Sequence, residues 1–549
     1  MKRKTRRTVS VLVTLLLLLL LPVQAFAETY DLAGGDITVT ADDTGQYVSQ
    51  PDKGIIDEKQ NTETIINQTG LATANTVTIN AEAGQTAEVT LDGVNIDCSA
   101  TGEAAVSTTG AGDVEIELDG NNILQSGDDH AGLEKNNDGT LTIGDDNAVA
   151  GSLEATGGEN GAGIGGGYVG NDASNITITG GEIEANGGVS AAGIGGGNSG
   201  DGSNIKITGG TVTAQGGSGG AGIGGGGGGN GGNGSDIEIS GGSVTATGGV
   251  RGAGIGGGGD KNGSDIEISG GSVTAQGGFH GAGIGGGSDG DGSNITISGG
   301  SVAAKGGRNA AGIGGGNNKN GNLDGIYKGN GSNIKITGGS VTATGGDSVT
   351  NLTGGGAGIG GGGGGKGSNF TVSGDARIKT QGGKRNPGKG ACMGNGGYWE
   401  NGQFVDGEEV EPDTSGLTTG WIEFYEPGAD MDKDAPTSVI TAPKPGPKAT
   451  VDGTYKIGDK VVINGIEWII VGIEGDVLEL ASAKAFTEEQ LKDLEALIKT
   501  LLTNAQLEKL VADKTTGERV FLADEDIAKE YFGGEAGHIV IRADKSILG

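Results

Sequence analysis

The sequence predicts an all-β fold, a parallel β-helix with three short strands per coil, closed by end caps and followed by a small α+β domain. Three observations carry that expectation. Glycine supplies 123 of 549 residues, roughly three times its usual share. A unit of sequence returns along the middle of the chain, marked by the Ile of Ala-Gly-Ile-Gly at Ile164, Ile194, Ile223, Ile255, Ile284, Ile313 and Ile359, with spacings of 30, 29, 32, 29, 29 and 46. Each unit holds three period-2 segments separated by Gly-Gly pairs. A fixed period of this length belongs to stacked solenoids, in which each repeat buries its apolar side only against its neighbours.

The first 27 residues read as an export signal. Lys2, Arg3, Lys4, Arg6 and Arg7 precede an apolar run over 9–21, which stops short of the ~20 residues that span a bilayer. Ala25-Phe26-Ala27 supplies the small residues of a cleavage site, so cleavage is expected after Ala27. The mature chain is then secreted or held at the cell surface, with no membrane insertion. Formal net charge is −34, from 70 acidic and 36 basic residues. This excludes a nucleic-acid backbone as partner, which needs clustered Lys and Arg. Nine prolines without a Gly-x-y period exclude collagen.

Residues 28–74 are expected to cap the first coil, because a bare solenoid end exposes a sheet edge. The stack itself is expected over 75–395, with Val106 and Leu133 as degenerate upstream markers and Met393 as the last. In the unit at 203–224, Ile205 and Ile207 alternate with Lys206 and Thr208, Val212 and Ala214 with Thr211 and Thr213, and Ala221 and Ile223 with glycines. One apolar side per strand then gives inward columns, Ile176/Ile205/Ile237/Ile266/Ile295/Ile334 and Val212/Val244/Val273/Val302/Val341, at ~4.8 Å per coil. A further column, Asn175, Asn204, Asp236, Asp265, Asn294, Asn333 and Asn369, is expected to be a buried ladder of stacked amides. The aromatic stretch 396–426 is expected to plug the far end. A Pro-rich linker (427–452) leads to the small α+β domain (453–549). There 455–463, 467–473 and 477–480 alternate as strands, and Thr487 with Gln490 opens a leucine-rich helix to about 512; a short helix is expected over 524–532.

Candidate chemistry is sparse. Glu238 and Glu267 fall in one outward column with Asp236 and Asp265 beside them. Like charges ~5 Å apart repel by about 1 kcal/mol even in water, and calcium is the candidate ion that would relieve them; a solvated acidic face relieved by Lys206 is the plainer reading. No other cofactor is implied. The two residues after the second Gly-Gly vary most from unit to unit: Val189-Ser190, Ser218-Gly219, Val250-Arg251, Phe279-His280 and Arg308-Asn309. They are expected to form an exposed ledge, and Arg251, Phe279, His280, Arg308 and Asn309 offer the aromatic face and planar polar groups that suit sugars. A merely variable corner explains the same residues. Cys98 and Cys392 fall roughly 40 Å apart at ~4.8 Å per coil, beyond disulfide reach, so two free, buried thiols are expected. No nucleophile elbow with a usable His and no His-Glu-x-x-His helix is present, so the protein is expected not to be an enzyme.

The unit Ile-x-Ile-[Thr/Ser]-Gly-Gly-x-Val-x-Ala-x-Gly-Gly, with Val-Thr-Leu-Asp-Gly-Val-Asn-Ile at 89–96 and Glu-Ile-Glu-Leu-Asp-Gly at 115–120, resembles the repeats of bacterial secreted and cell-surface carbohydrate-binding β-helix proteins of the pectate-lyase-like fold. That resemblance covers about 75–395. It implies a right-handed helix, secretion, a polysaccharide or cell-wall glycan as partner, and calcium as a candidate ligand. The segment from Gly465 through Trp468 to Val471, with 520–532, is similar to an uncharacterised domain of secreted bacterial proteins. The expected function is therefore a monomeric carbohydrate-binding surface protein without catalysis. The alternative is a structural or adhesive stalk, and a remote one is ice binding by the outward Thr213/Thr245/Thr274/Thr342 column.

Overall fold

The computed structural model describes residues 28–60, 64–168, 171–229, 231–317, 329–348, 354–400 and 403–442, and within 459–544 the strands and short stretches named below. The chain divides into two units, 1–440 and 441–549. The expected signal segment and the helix over 524–532 lie outside the described residues.

Each regular coil of the first unit runs through three parallel strands. In one coil these are Gly202–Ile207, Thr211–Gln215 and Ile223–Gly224. We call the sheets they build the Ile sheet, the Val sheet and the Gly sheet. Register is strict. Ile176, Ile205, Ile237, Ile266, Ile295, Ile334 and Phe370 pair in succession on the Ile sheet. Ile183, Val212, Val244, Val273, Val302, Val341 and Ile378 do so on the Val sheet. None of these side chains is more than 3% exposed. The core is thus a set of one-residue columns, and a slip of one residue would turn every column to water.

Glycine has two distinct tasks here. At the turn from the Ile sheet to the Val sheet, Gly210 has φ +78 and its counterparts in the neighbouring coils, Gly181 and Gly242, have φ +84 and +75, a region in which a Cβ is strained. At the turn from the Val sheet to the Gly sheet the demand is for room instead. A Cβ on Gly278 would lie 1.4 Å from the carbonyl oxygen of Gly249 one coil below.

The ladder starts earlier than residue 75. Glu28–Asp31 pairs parallel with Thr64–Asn67, which pairs with Thr86–Asp92. The Gly-sheet column runs from Met393 and Ile359 through Ile164, Leu133 and Val106 to Val77 and Ile37. What covers this end is an antiparallel meander, Ile37–Asp42, Gly45–Gln50 and Ile55–Gln60. At the other end Trp421–Tyr425 continues the Val sheet in parallel on Arg377–Gln381, and Tyr398–Glu400 pairs antiparallel with Gln403–Val405. Both cysteines are free and buried, as their separation requires.

In the second unit, Lys460–Ile463, Ile466–Glu474 and Val477–Ser482 form an antiparallel meander, extended by Ile539–Asp544 and Val520–Leu522. Trp468, Ile470, Leu478, Leu480, Ile498, Leu502 and Ile541 close its core. Leu497 and Ile498 are helical; the cap residues Thr487 and Gln490 lie outside the described residues.

Candidate functional site

The Asx column corrects the sequence reading. These residues are exposed or half-exposed, not buried, and all seven have positive φ, from 48° at Asn204 to 59° at Asn175. Strand pairing steps over them: Ser203 pairs with Ser235 and Ile205 with Ile237, while Asn204 and Asp236 have no register partner. A single left-handed residue bends the strand, and Asn and Asp tolerate that conformation best after glycine. The side chain is thereby thrown outward. The amides still form a ladder: Asn369 Nδ2 donates to Asn333 Oδ1 at 3.1 Å, Asn333 to Asn294 at 3.1 Å, and Asn294 to Asp265 Oδ1 at 3.0 Å.

Beside this column runs the outward residue of each Ile-x-Ile. Lys206, Glu238, Glu267, Thr296, Lys335 and Thr371 follow one another in register. Together the two columns line an open trough of ≈ 700 Å³ along the stack. Lys206 Nζ lies 3.5 Å from Glu238 Oε2, both side chains nearly half exposed, so this lysine relieves one carboxylate of the acidic face. Asp236, Glu238, Asp265 and Glu267 do share that face. They are strung along it rather than gathered: among the described residues no three His, Cys, Asp or Glu side chains are grouped so as to hold a metal ion. Sequence reasoning missed the trough because the left-handed bend that sets the Asx column beside the Ile-x-Ile column leaves no mark in a two-residue period.

The ledge divides into two rows. Phe279 is 46% exposed and Val250 and Val189 50% and 58%, and Arg308 Cζ lies 5.0 Å from the centroid of the Phe279 ring, a cation–π contact. The inner row is turned into the corner. Arg251 is bonded to Asp260. His280 stands edge-on to Phe279, centroids 4.8 Å apart, with its Nδ1 3.0 Å from Asn317 Nδ2. Asn309 is 1% exposed and donates Nδ2 to Ser348 Oγ at 3.3 Å. Of the five residues expected at a sugar site, Phe279 faces outward with the half-buried Arg308 over its ring, Arg251 and His280 hold the corner together, and Asn309 is buried. Backbone explains the inner row: Ser288 N donates to Arg251 O at 2.7 Å and Asn317 N to His280 O at 2.8 Å, which stitches the two corners flanking the Gly sheet.

Two other groups stand apart. Lys135 points into the stack, 5% exposed, with Nζ 2.6 Å from Asn137 O; burial pulls its pKa down to about 8. At the C-terminal end Cys392, Glu409, Val410, Phe424, Tyr425 and Ile440 line a pocket of ≈ 410 Å³. Burial, then the neighbouring Glu409, pushes the Cys392 thiol up to about 11. The Glu409 carboxylate accepts the Cys392 and Met393 amides at 2.7 and 3.0 Å and so caps the last strand of the Gly sheet. No helix among the described residues is long and apolar enough to cross a membrane.

With this geometry in place, comparison with known proteins finds one family. The beta helix repeat model matches six successive stretches, 150–168, 176–198, 205–227, 237–259, 266–288 and 295–317. Residues 150–317 are thus parallel β-helix repeats. From the second match on, each begins at the first Ile of Ile-x-Ile or the Ile that opens a coil and ends just past the Gly sheet, so the matched unit is the structural coil. No curated protein and no solved structure matches.

Proposed function

We propose that this protein is exported to the cell surface, where it binds polysaccharide without cleaving it. The trough over the Ile sheet is the observation that carries the reading. It is open, runs along the stack, and presents amide, hydroxyl and charged groups from successive coils at ~4.8 Å intervals, which suits a polymer rather than a compact small molecule. Amide and carboxylate groups of this kind pair with hydroxyls. The exposed Phe279 ring on the ledge is a second, smaller contact, where a sugar can lay its C–H face. The segment 1–27, read as an export signal, supports the location, and the fold is one in which surface and polysaccharide-related proteins recur.

The test is a glycan array followed by titration of the glycans retained. The variant Thr296→Ala with Lys335→Ala removes two outward side chains and leaves the inward columns untouched, so retention should fall at least tenfold with the melting curve unchanged. If the unmodified protein retains no glycan, the structural-stalk reading takes its place.

A further inference from the structure

We infer that the polymer seated in the trough is a partly deacetylated amino-sugar chain, its free amines over the 236–267 end and its acetamides and hydroxyls over the 294–371 end. This rests on the polysaccharide reading above and adds the substrate class.

The trough has two halves of different chemistry. In the C-terminal half, Asn369, Asn333 and Asn294 form an unbroken amide ladder ending on Asp265. Each amide has two N–H donors and two acceptor lone pairs, and the ladder consumes only one of each. A spare donor and a spare acceptor therefore recur once per coil, beside Thr296, Lys335 and Thr371. An acetamide or hydroxyl on each sugar satisfies both.

At Asp265 the ladder stops, since a carboxylate accepts but cannot pass a proton on. Asp236, Glu238, Asp265 and Glu267 follow on two adjacent coils. Of these four, only Glu238 has a cation within 4 Å among the described residues, Lys206. The four do not converge on a point, so a single ion does not answer them; cations spaced along the axis do, and successive ammonium groups of an amino-sugar chain are so spaced. A polyanion is disfavoured twice. The whole chain carries −34, and of the two lysines in the trough, Lys206 and Lys335, Lys206 is already paired with Glu238. A peptide is disfavoured as well: the trough lies over a sheet face, not an edge, and offers an extended backbone no ladder to join.

Isothermal titration with a glucosamine hexamer, its fully N-acetylated form, a neutral glucan hexamer, a galacturonate hexamer and spermine decides the matter. It is run at about pH 5, where amines and most carboxylates are both ionised. A partly N-acetylated glucosamine hexamer, titrated beside these and the probe closest to the inferred ligand, should bind at least tenfold tighter than the fully acetylated form, and galacturonate should not bind. Asp236→Asn with Glu267→Gln should erase that preference while leaving the acetylated hexamer bound as before. Equal binding of acetylated and deacetylated chains, or any binding of galacturonate, overturns the amino-sugar assignment and leaves polysaccharide binding standing. Spermine competing as well as the mixed hexamer also overturns it, as attraction of any polycation. No binding by any of the sugars removes both readings.

Discussion

Asn294 donates its side-chain amide to the carboxylate of Asp265 across 3.0 Å, one coil to the next, and there the ladder ends. Asp265 in turn can give nothing to Asp236. Replacing it by Asn restores a donor and removes one of four neighbouring negative charges, while Asn keeps the left-handed bend at φ 53. Asp265→Asn should therefore raise the melting midpoint, and by more at low salt than at high salt, since the relieved repulsion is between exposed, screenable charges. Thermal melts at two salt concentrations check this; a lowered midpoint, or a gain independent of salt, removes the ladder argument.

The inward columns make a harsher prediction. Ile237 is 0% exposed between Ile205 and Ile266. Ile237→Asp puts a carboxylate into an apolar column with no partner, at a cost of several kcal/mol. Nearest-neighbour coupling in a solenoid means the break is felt by the coils on both sides. The variant should lose cooperative melting or split into two transitions. A single unchanged transition would falsify the stacked-column account of the core.

How much of this was open to a reader of the sequence follows from where the periodicity lies. Ile205, Val212 and Ile223 repeat at fixed offsets, so the three sheets and their core columns were legible, as was the separation that keeps Cys98 and Cys392 apart. The Asx column was assigned to the wrong side, because a single left-handed residue between Ser203 and Ile205 flips a side chain without altering the spacing of its neighbours. Arg251 finds Asp260 nine residues on, in a corner whose length changes from coil to coil, and nothing periodic announces that pair. The first coil, with Ile37, was hidden for the opposite reason: it stacks like the rest but lacks the Gly-Gly punctuation, its longer strands needing no tight corner.

Lys135 gives the protein a specific alkaline dependence. Its folded pKa is lowered, chiefly by burial, from 10.5 to about 8. Between those values the unfolded chain holds a proton that the folded chain has released, so this residue makes stability rise with pH through that window. Below about pH 8 both states are protonated and the penalty of burying the charge is felt in full. Lys135→Met should accordingly be the more stable form at pH 7, and its advantage should shrink as pH climbs toward 10.5. Chemical denaturation of both forms across that range checks the sign. The difference between them is what matters, because Cys392, raised to about 11, moves stability the other way in both. An advantage that grows with pH would contradict a buried Lys135.

The ledge offers the last prediction. Phe279 keeps 46% of its surface exposed even with Arg308 over one face, and neither side chain supports the backbone stitching done by the inner row through Arg251 and His280. Removing them should leave the fold alone. The trough lies on the Ile sheet and the ledge at the turn between the Val and Gly sheets, so one soluble chain laid in the trough does not reach Phe279. Insoluble polysaccharide presents many chains and can touch both surfaces at once, and the second contact then acts at high effective concentration. Phe279→Ala with Arg308→Ala should reduce retention on insoluble polysaccharide at least tenfold, about 1.4 kcal/mol, while hexamer binding and the melting curve stay as they were. Co-sedimentation with the polysaccharide, run beside titration of the hexamer, separates the outcomes. Loss of hexamer binding would move the primary site to the ledge, and unchanged co-sedimentation would reduce Phe279 to a variable corner residue.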